Sequence, residues 1–296
     1  MKKRAVMIVN PVAGRKKIQG DVLTLIAGLE RQQYEVVVHV TRSRGDAVRT
    51  ANREGRTADL IVCCGGDGTL NEVIRGLLPL AEKPLLLYYP CGSTNDFAVT
   101  LGLPTDPAEA AVRIDARRVL DLDVGRLNGD RNFSYITSFG IFTKASFSAD
   151  QRLKNRIGHL AYLLQGAKEL PDLGKFYRAK ITYDGGSVEG DFALVAVTNS
   201  TSAGGVLRLP SEKVKLDDGL FEILLVKRLT GVPEAASTVG MLLSKRYDGH
   251  SVMLLQSRKV SISCPDAPAW CTDGEYAGNL TEGEIECLRG AVRIIV

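Results

Sequence analysis

The hydrophobic rhythm of the chain changes near residue 120. Before that point, short runs of aliphatic residues alternate with stretches whose apolar positions return every three to four residues. Residues 4–9 form a β-rich run, and Ile18, Val22, Leu25, Ile26 and Leu29 then fall on one helical face. Residues 34–40 read as a strand and 46–54 as a helix. Residues 58–64 are continuously apolar, the pattern of a strand buried on both faces, and 85–89 repeat it after a helical stretch over 69–78. This alternation predicts a parallel sheet with helices on both sides. Ligands of such sheets bind beyond the carboxyl ends of the strands. Two polar, glycine-containing segments, 65–69 and 90–96, sit at such ends.

After residue 120 the texture is that of short strands: 120–126, 133–139, 176–183, 190–197, 221–226, 252–263 and 285–288. Turn residues separate many of them, at Asn128-Gly129, Asp184-Gly185-Gly186 and Asp218-Gly219. The pattern predicts an antiparallel sandwich interrupted by helices near 153–169 and 232–245. The expected architecture is therefore an α/β N-terminal domain with a three-layer parallel sheet over 1–122, followed by an all-β sandwich with inserted helices over 123–290. Residues 291–296 are placed as a strand returning to the first domain.

Composition narrows the classes without choosing among them. The 296 residues are 45% hydrophobic and 24% charged, which is ordinary for a water-soluble globular chain. A net charge of +4 suits anionic phosphates or an anionic membrane surface and gives no reason to expect nucleic acid. No stretch approaches the roughly 18 apolar residues of a membrane-spanning helix. The apolar run after the basic N-terminus ends at Asn10-Pro11, too soon for a secretory signal, so a cytoplasmic protein is expected. Six cysteines form no C-x-x-C pair and only three histidines exist, which argues for free thiols rather than zinc.

Candidate chemistry gathers in three loops. Gly65-Gly66-Asp67-Gly68-Thr69 follows a strand and opens a helix. Glycines let the backbone approach a phosphate, and the helix N-terminus attracts its charge. Asp67 repels phosphate and makes sense as a partner of Mg²⁺, directly or through water. Thr69 suits a helix cap or a phosphate contact. Asn10-Pro11-Val12-Ala13-Gly14, with Arg15, Lys16 and Lys17 behind it, reads equally as a nucleotide-facing loop or as a proline turn before a solvated basic run. In the third loop, Gly92, Ser93, Thr94, Asn95 and Asp96 suit a helix cap when taken alone. The Walker pattern G-x-x-x-x-G-K-[ST] is absent. A basic amphipathic stretch over 152–170 fits a helix packed on its own domain better than one lying on lipid.

Taken together and in order, these loops resemble those of the bacterial diacylglycerol kinase-like lipid kinases, relatives of sphingosine and ceramide kinases. The matching residues are Asn10-Pro11 with Gly14, Gly65 to Asn71 with Glu72, and Gly92 to Phe97. Asp121 to Asn128, Asp217-Asp218-Gly219-Leu220 and Thr272-Asp273-Gly274-Glu275 extend the resemblance over nearly the whole chain. The glycine-rich run alone is shared with NAD kinases and phosphofructokinases, and Ser93 stands where the family usually has threonine.

The resemblance implies an N-terminal nucleotide domain and a β-sandwich lipid-substrate domain, with the active site between them. ATP would be lined by Asn10, Pro11, Gly14, Thr41, Gly65, Gly66, Asp67, Gly68, Thr69, Leu70, Asn71, Glu72, Gly92, Ser93, Thr94 and Asn95. Asp67, Asp96 and Asp123 would hold a catalytic Mg²⁺, largely through water. A second, structural Mg²⁺ would take a side-chain oxygen of Asp218 and the carbonyls of Lys215 and Leu220. Asp273 or Glu275 would activate the acceptor hydroxyl, with Asp273 the favoured base. The implied activity is Mg²⁺-dependent transfer of the ATP γ-phosphate to a lipid hydroxyl, by a protein in peripheral contact with a membrane. A kinase of a soluble hydroxyl such as NAD, or a non-catalytic nucleotide- or lipid-binding relative, stands as the alternative.

Overall fold

The computed structural model describes residues 2–13, 18–92, 95–116, 118–141, 175–203, 207–245 and 247–296. It divides into two compact units: Met1–Val124 with Arg289–Val296, and Gly125–Leu288. The basic stretch over 152–170 lies outside the described residues.

The first unit contains β1 (Lys3–Val9), α1 (Ile18–Arg31), β2 (Tyr34–Val40), α2 (Asp46–Glu54), β3 (Leu60–Gly65), α3 (Asp67–Leu77), β4 (Leu85–Pro90), α4 (Asp96–Leu101) and α5 (Pro107–Ala116). The strands pair in parallel in the order β4-β3-β1-β2. Alternation along β1 explains the layers. Ala5, Met7 and Val9 share a core with Leu25 and Leu29 of α1 and Ala110, Ala111 and Ile114 of α5. Val6 and Ile8, equally buried, point to the opposite face, where α2 packs on β1 and α3 on β3. From β2 the chain returns across β1 to β3, so the loops leaving β1 and β3 lie side by side at the point where the strand order reverses.

Among its described residues the second unit is almost all β. Its elements are β5 (Val119–Leu127), β6 (Arg131–Phe133), β7 (Ile136–Gly140), β8 (Tyr177–Tyr183), β9 (Gly186–Thr198), β10 (Ser202–Ala203), β11 (Leu207–Arg208), β12 (Phe221–Lys227), α6 (Val232–Ser244), β13 (Val252–Ser257), β14 (Lys259–Ser263), β15 (Ala269–Thr272), β16 (Glu275–Asn279) and β17 (Glu282–Ile295). The unit boundaries fall inside β5 and β17. β9 pairs antiparallel with β8 along its first half and with β7 and β12 along its second. Phe133, Phe139, Phe192, Phe221 and Trp270 fill the core, with the Trp270 and Phe139 ring centroids 5.0 Å apart. The far end of β17 runs beside β4 of the first unit's sheet, Ile294 opposite Leu86.

Three expected strands differ from the observed ones. Residues 133–139 are not one strand: β6 stops at Phe133 and β7 begins at Ile136, because the intervening N–H groups turn to a carboxylate from elsewhere in the unit. Residues 252–263 break at Arg258, whose N–H donates to the Asp184 carboxylate at 2.8 Å. β17 runs unbroken from Glu282 to Ile295, where the sequence suggests a strand over 285–288 and another over 291–296.

Candidate functional site

In the first unit the three predicted loops converge through the backbone. The Asn10 N–H donates to the Cys64 carbonyl at 2.9 Å, and its side-chain amide donates to the Thr69 hydroxyl at 2.9 Å. The Asn10 side-chain oxygen accepts from the Val12 N–H, which folds the loop back on itself. Asn10 therefore joins the end of β1 to the first turn of α3. Pro11 beside it is exposed. The Thr41 N–H donates to the Val9 carbonyl at 2.9 Å, which brings the end of β2 to the same edge.

The loops after β3 and β4 touch directly. A Cβ placed on Gly92 would lie 2.6 Å from the Gly66 Cα, so only glycines allow this approach. The Cys91 N–H donates to the Gly65 carbonyl at 2.7 Å across the same seam. The α3 helix opens at Asp67, and the Thr69 and Leu70 N–H groups bond back to the Gly66 carbonyl. Gly68 is exposed and Thr69 is nearly buried.

Other predicted nucleotide residues have side chains engaged in holding the loops. Leu70 is fully buried in the core. The Glu72 carboxylate accepts the Gly45 N–H at 2.8 Å, tying α3 to the turn before α2. The half-buried Asn71 lies on the same helix. The Asn95 side chain closes on Gly92 from both ends, accepting its N–H and donating to its carbonyl, each at 2.8 Å. Gly14, Ser93 and Thr94 lie outside the described residues.

The acidic residues are placed as follows. Asp67 accepts the N–H groups of Asp96 at 3.1 Å and Phe97 at 3.3 Å, and so anchors the start of α4. Asp96 is 5% exposed. Asp123, fully buried on β5, accepts the Gly290 N–H at 2.7 Å. Asp67 and Asp96 are thus brought together at the start of α4. Among the described residues, no group of three or more His, Cys, Asp or Glu side chains is arranged to hold a metal ion directly. The donor chemistry nevertheless suits Mg²⁺, which prefers hard oxygens and keeps several of its waters.

Burial sets the electrostatics beneath these loops. Desolvation first, and the nearby Asp67 charge second, push the Tyr88 phenol far above its ordinary range. Burial likewise raises the Cys91 thiol to about 12, with Asp21 adding to it. Both stay protonated at neutral pH. The Tyr88 hydroxyl, 3.4 Å from the Asn95 side-chain oxygen, is a loop support that the sequence reading missed. Its position just before the Pro90 segment was the available signal.

In the second unit, Asp273-Gly274 forms the two-residue turn between β15 and β16, with φ of 48° and 82°. The Asp273 carboxylate is 8% exposed. Its Oδ2 accepts the Ser134 N–H at 2.6 Å, and its Oδ1 accepts those of Tyr135 at 3.1 Å and Ile136 at 3.0 Å. Its own N–H donates to the Ile136 carbonyl. These bonds fix the carboxylate within a buried polar patch that also holds Thr137, Thr198 and Thr272. Glu275, two residues on, is exposed.

The Asp218 turn is a separate feature of the second unit. The Leu220 N–H donates to the Asp218 carboxylate at 3.0 Å. Lys213, Lys215, Asp218, Glu222 and Gln256 are among the residues lining a cavity of about 430 Å³. Glu222, which sequence reading did not single out, is fully buried, and burial first and the Asp218 charge second raise its pKa to about 8. A glutamate inside an otherwise apolar strand, Phe221 to Val226, was the signal that could have found it.

Comparison with known proteins follows the same two-part division. Residues 4–127 match the family model described as diacylglycerol kinase catalytic domain. Residues 136–296 match the one described as YegS C-terminal NAD kinase beta sandwich-like domain. A diacylglycerol kinase of Bacillus subtilis is 32% identical over 296 residues, covering 99% of this chain and 96% of its own. A diacylglycerol kinase of Staphylococcus aureus is 30% identical over 282 residues, covering 95% and 88%. A solved diacylglycerol kinase structure from Bacillus anthracis superposes with a TM-score of 0.78 at 27% identity, covering 99% of this chain and 97% of its own.

Proposed function

The chain belongs to the diacylglycerol kinase family, and on that premise we propose that it transfers the γ-phosphate of ATP to the hydroxyl of diacylglycerol or a closely related lipid. The observation that carries the nucleotide half is the contact of the β3 and β4 loops through Gly66 and Gly92 beside the Asn10 loop. It presents backbone N–H groups and the start of α3 at the switch point of a parallel sheet, where phosphates bind. In this reading Asn10, Pro11, Gly14, Thr41, Gly65 to Glu72 and Gly92 to Asn95 form the nucleotide site. Asn10, Glu72 and Asn95 act through the loops they hold.

Asp67, Asp96 and Asp123 are the residues that would hold the catalytic Mg²⁺ through water. Bound there, the ion would neutralise charge on the phosphates during transfer. Asp273 receives the hydroxyl proton of the acceptor. Its anchoring by three N–H groups favours that role over the exposed Glu275, because a base acts only from a fixed position within hydrogen-bond reach. A second Mg²⁺ would sit at the Asp218 turn with the Lys215 and Leu220 carbonyls. The carboxylates of the cavity and the unpartnered Glu222 Oε2 suit a hard cation. Diacylglycerol resides in a bilayer and ATP in the cytoplasm, so the protein works as a peripheral enzyme at the cytoplasmic membrane face.

The test is ATP consumption with Mg²⁺ against hydroxyl lipids in mixed micelles, with NAD and sugars as soluble acceptors. Turnover on diacylglycerol that disappears in Asp67→Ala is the expected result. Turnover on a soluble acceptor alone would overturn the lipid assignment, and silence on every acceptor would favour a binding protein.

A further inference from the structure

Glu222 is buried in a way that demands a partner. It lies on β12 between β13 and β9, opposite Gln256 on one side and Thr198 on the other, and has no exposed surface. Alternate residues Phe221, Ile223 and Leu225 enter the hydrophobic core, so Glu222 points to the other face. There its Oε1 accepts the Gln256 side-chain N–H at 3.2 Å, while its Oε2 has no hydrogen-bond partner. A buried carboxylate oxygen left without a donor is costly. The same cavity is lined by two further carboxylates, Glu212 and Asp218.

The lysines of the cavity do not resolve this. Lys213 and Lys215 both line it, yet both are exposed, and neither reaches Oε2. Lys213 instead offers its carbonyl, which accepts the second contact of the Gln256 amide at 3.0 Å. Three carboxylates, Glu212, Asp218 and Glu222, line the cavity against two exposed lysines, which leaves hard oxygen donors with net negative charge. That set suits a divalent cation and disfavours an anion.

We propose that Glu222 supplies the second negative charge of a divalent-cation site at the Asp218 turn, and that the bound cation stabilises this unit by compensating the buried carboxylate. The inference rests on the reading of the Asp218 turn as a Mg²⁺ site and adds to it a residue outside the Lys215, Asp218 and Leu220 set. Because the cation binds the folded arrangement and not the unfolded chain, its occupancy raises stability by mass action.

The experiment is thermal unfolding and equilibrium dialysis of the full-length protein with Mg²⁺, after chelation and without nucleotide. Wild type, Asp218→Ala, Glu222→Gln and Glu222→Asp are compared. Wild type should gain several degrees in Tm on adding Mg²⁺. Glu222→Gln should be at least as stable as wild type in chelator, because a neutral isostere has no ionised form to desolvate. It should also bind Mg²⁺ at least about tenfold more weakly, on the scale of losing a supporting group at a metal site. Glu222→Asp keeps the charge and should retain part of the Mg²⁺ response, which covers the case in which the amide variant folds poorly. Unchanged Mg²⁺ affinity in Glu222→Gln, with the response lost in Asp218→Ala, would overturn the role of Glu222 alone. A response retained in Asp218→Ala would overturn the cation site itself and this inference with it.

Discussion

The loops of the first unit and the Asp273 turn of the second reach a similar end, a fixed array of polar groups, by opposite routes. The first is made by the backbone. Short segments that directly follow β1, β3 and β4 meet because parallel strands end together, and glycine lets them touch. The second is made by one side chain reaching across the fold. Asp273 collects N–H groups from residues 137, 138 and 139 positions away. Local motifs bring backbone donors together at one sheet edge. A fixed carboxylate such as that of Asp273 needs long-range strand pairing to hold it.

This contrast can be broken first at the glycine seam. Gly92→Val places a branched side chain where a single Cβ already lies 2.6 Å from Gly66. Overpacking of this kind costs about 1–3 kcal/mol, and the displaced loops should lose ATP binding. Denaturant unfolding and calorimetric titration with ATP check both. Wild-type affinity in this variant would show that the seam does not shape the nucleotide site.

Next in size is the acceptor side. Loss of a general base lowers turnover by about 10²–10⁴-fold, so Asp273→Asn should fall within that range while Glu275→Gln stays near wild type. The amide of Asp273→Asn turns one acceptor into a donor facing a backbone N–H, so its Tm is measured alongside its rate. The reverse ranking would transfer the role to Glu275.

A smaller effect is expected at Glu72, whose carboxylate holds the Gly45 N–H. Glu72→Ala should cost about 1.5–3 kcal/mol, the range for a hydrogen bond to a charged group, and weaken ATP binding only modestly. Unfolding curves and the same titration read both quantities.

The smallest effect sharpens the comparison by taking Asp273's geometry to the surface. Asp248 also accepts three backbone N–H groups, from His250, Ser251 and Val252, but it is exposed. Those bonds, led by Val252 and His250, hold its pKa at about 2, below the ordinary aspartate value. A depressed folded pKa contributes stability that is present above the unfolded value and lost as pH falls through the folded one. The stability gap between wild type and Asp248→Asn should therefore shrink as pH is lowered from about 4 towards 2. A gap that widens on acidification would contradict this.

The same contrast explains what was legible in the sequence. Unit 1 was readable because its signals are local: apolar runs such as Leu60 to Cys64 mark strands, and loop residues follow them at once. The two-part α/β and β-sandwich architecture followed from the change of rhythm alone. In the second unit the breaks at Ser134 and Arg258 were invisible, because each depends on a carboxylate from a distant segment, Asp273 or Asp184. The Asp273-Gly274 turn was recognisable from its two residues, but its hold on the β6–β7 link was not. Glu222 went unread for the same reason, since its demand for a partner arises only when β12 is enclosed by β13 and β9. Helix α5 escaped because its apolar residues are mostly alanine, which packs well and shows little periodic contrast.

The division of labour between the units is tested most directly by measuring ATP affinity and γ-phosphate transfer to diacylglycerol on the same preparations of wild type, Gly92→Val and Asp273→Asn. The account predicts that Asp273→Asn binds ATP within about twofold of wild type yet transfers phosphate at least about 10²-fold more slowly. Gly92→Val is predicted to lose both. An Asp273→Asn protein that transfers phosphate at the wild-type rate, or loses ATP binding as fully as Gly92→Val, would contradict it.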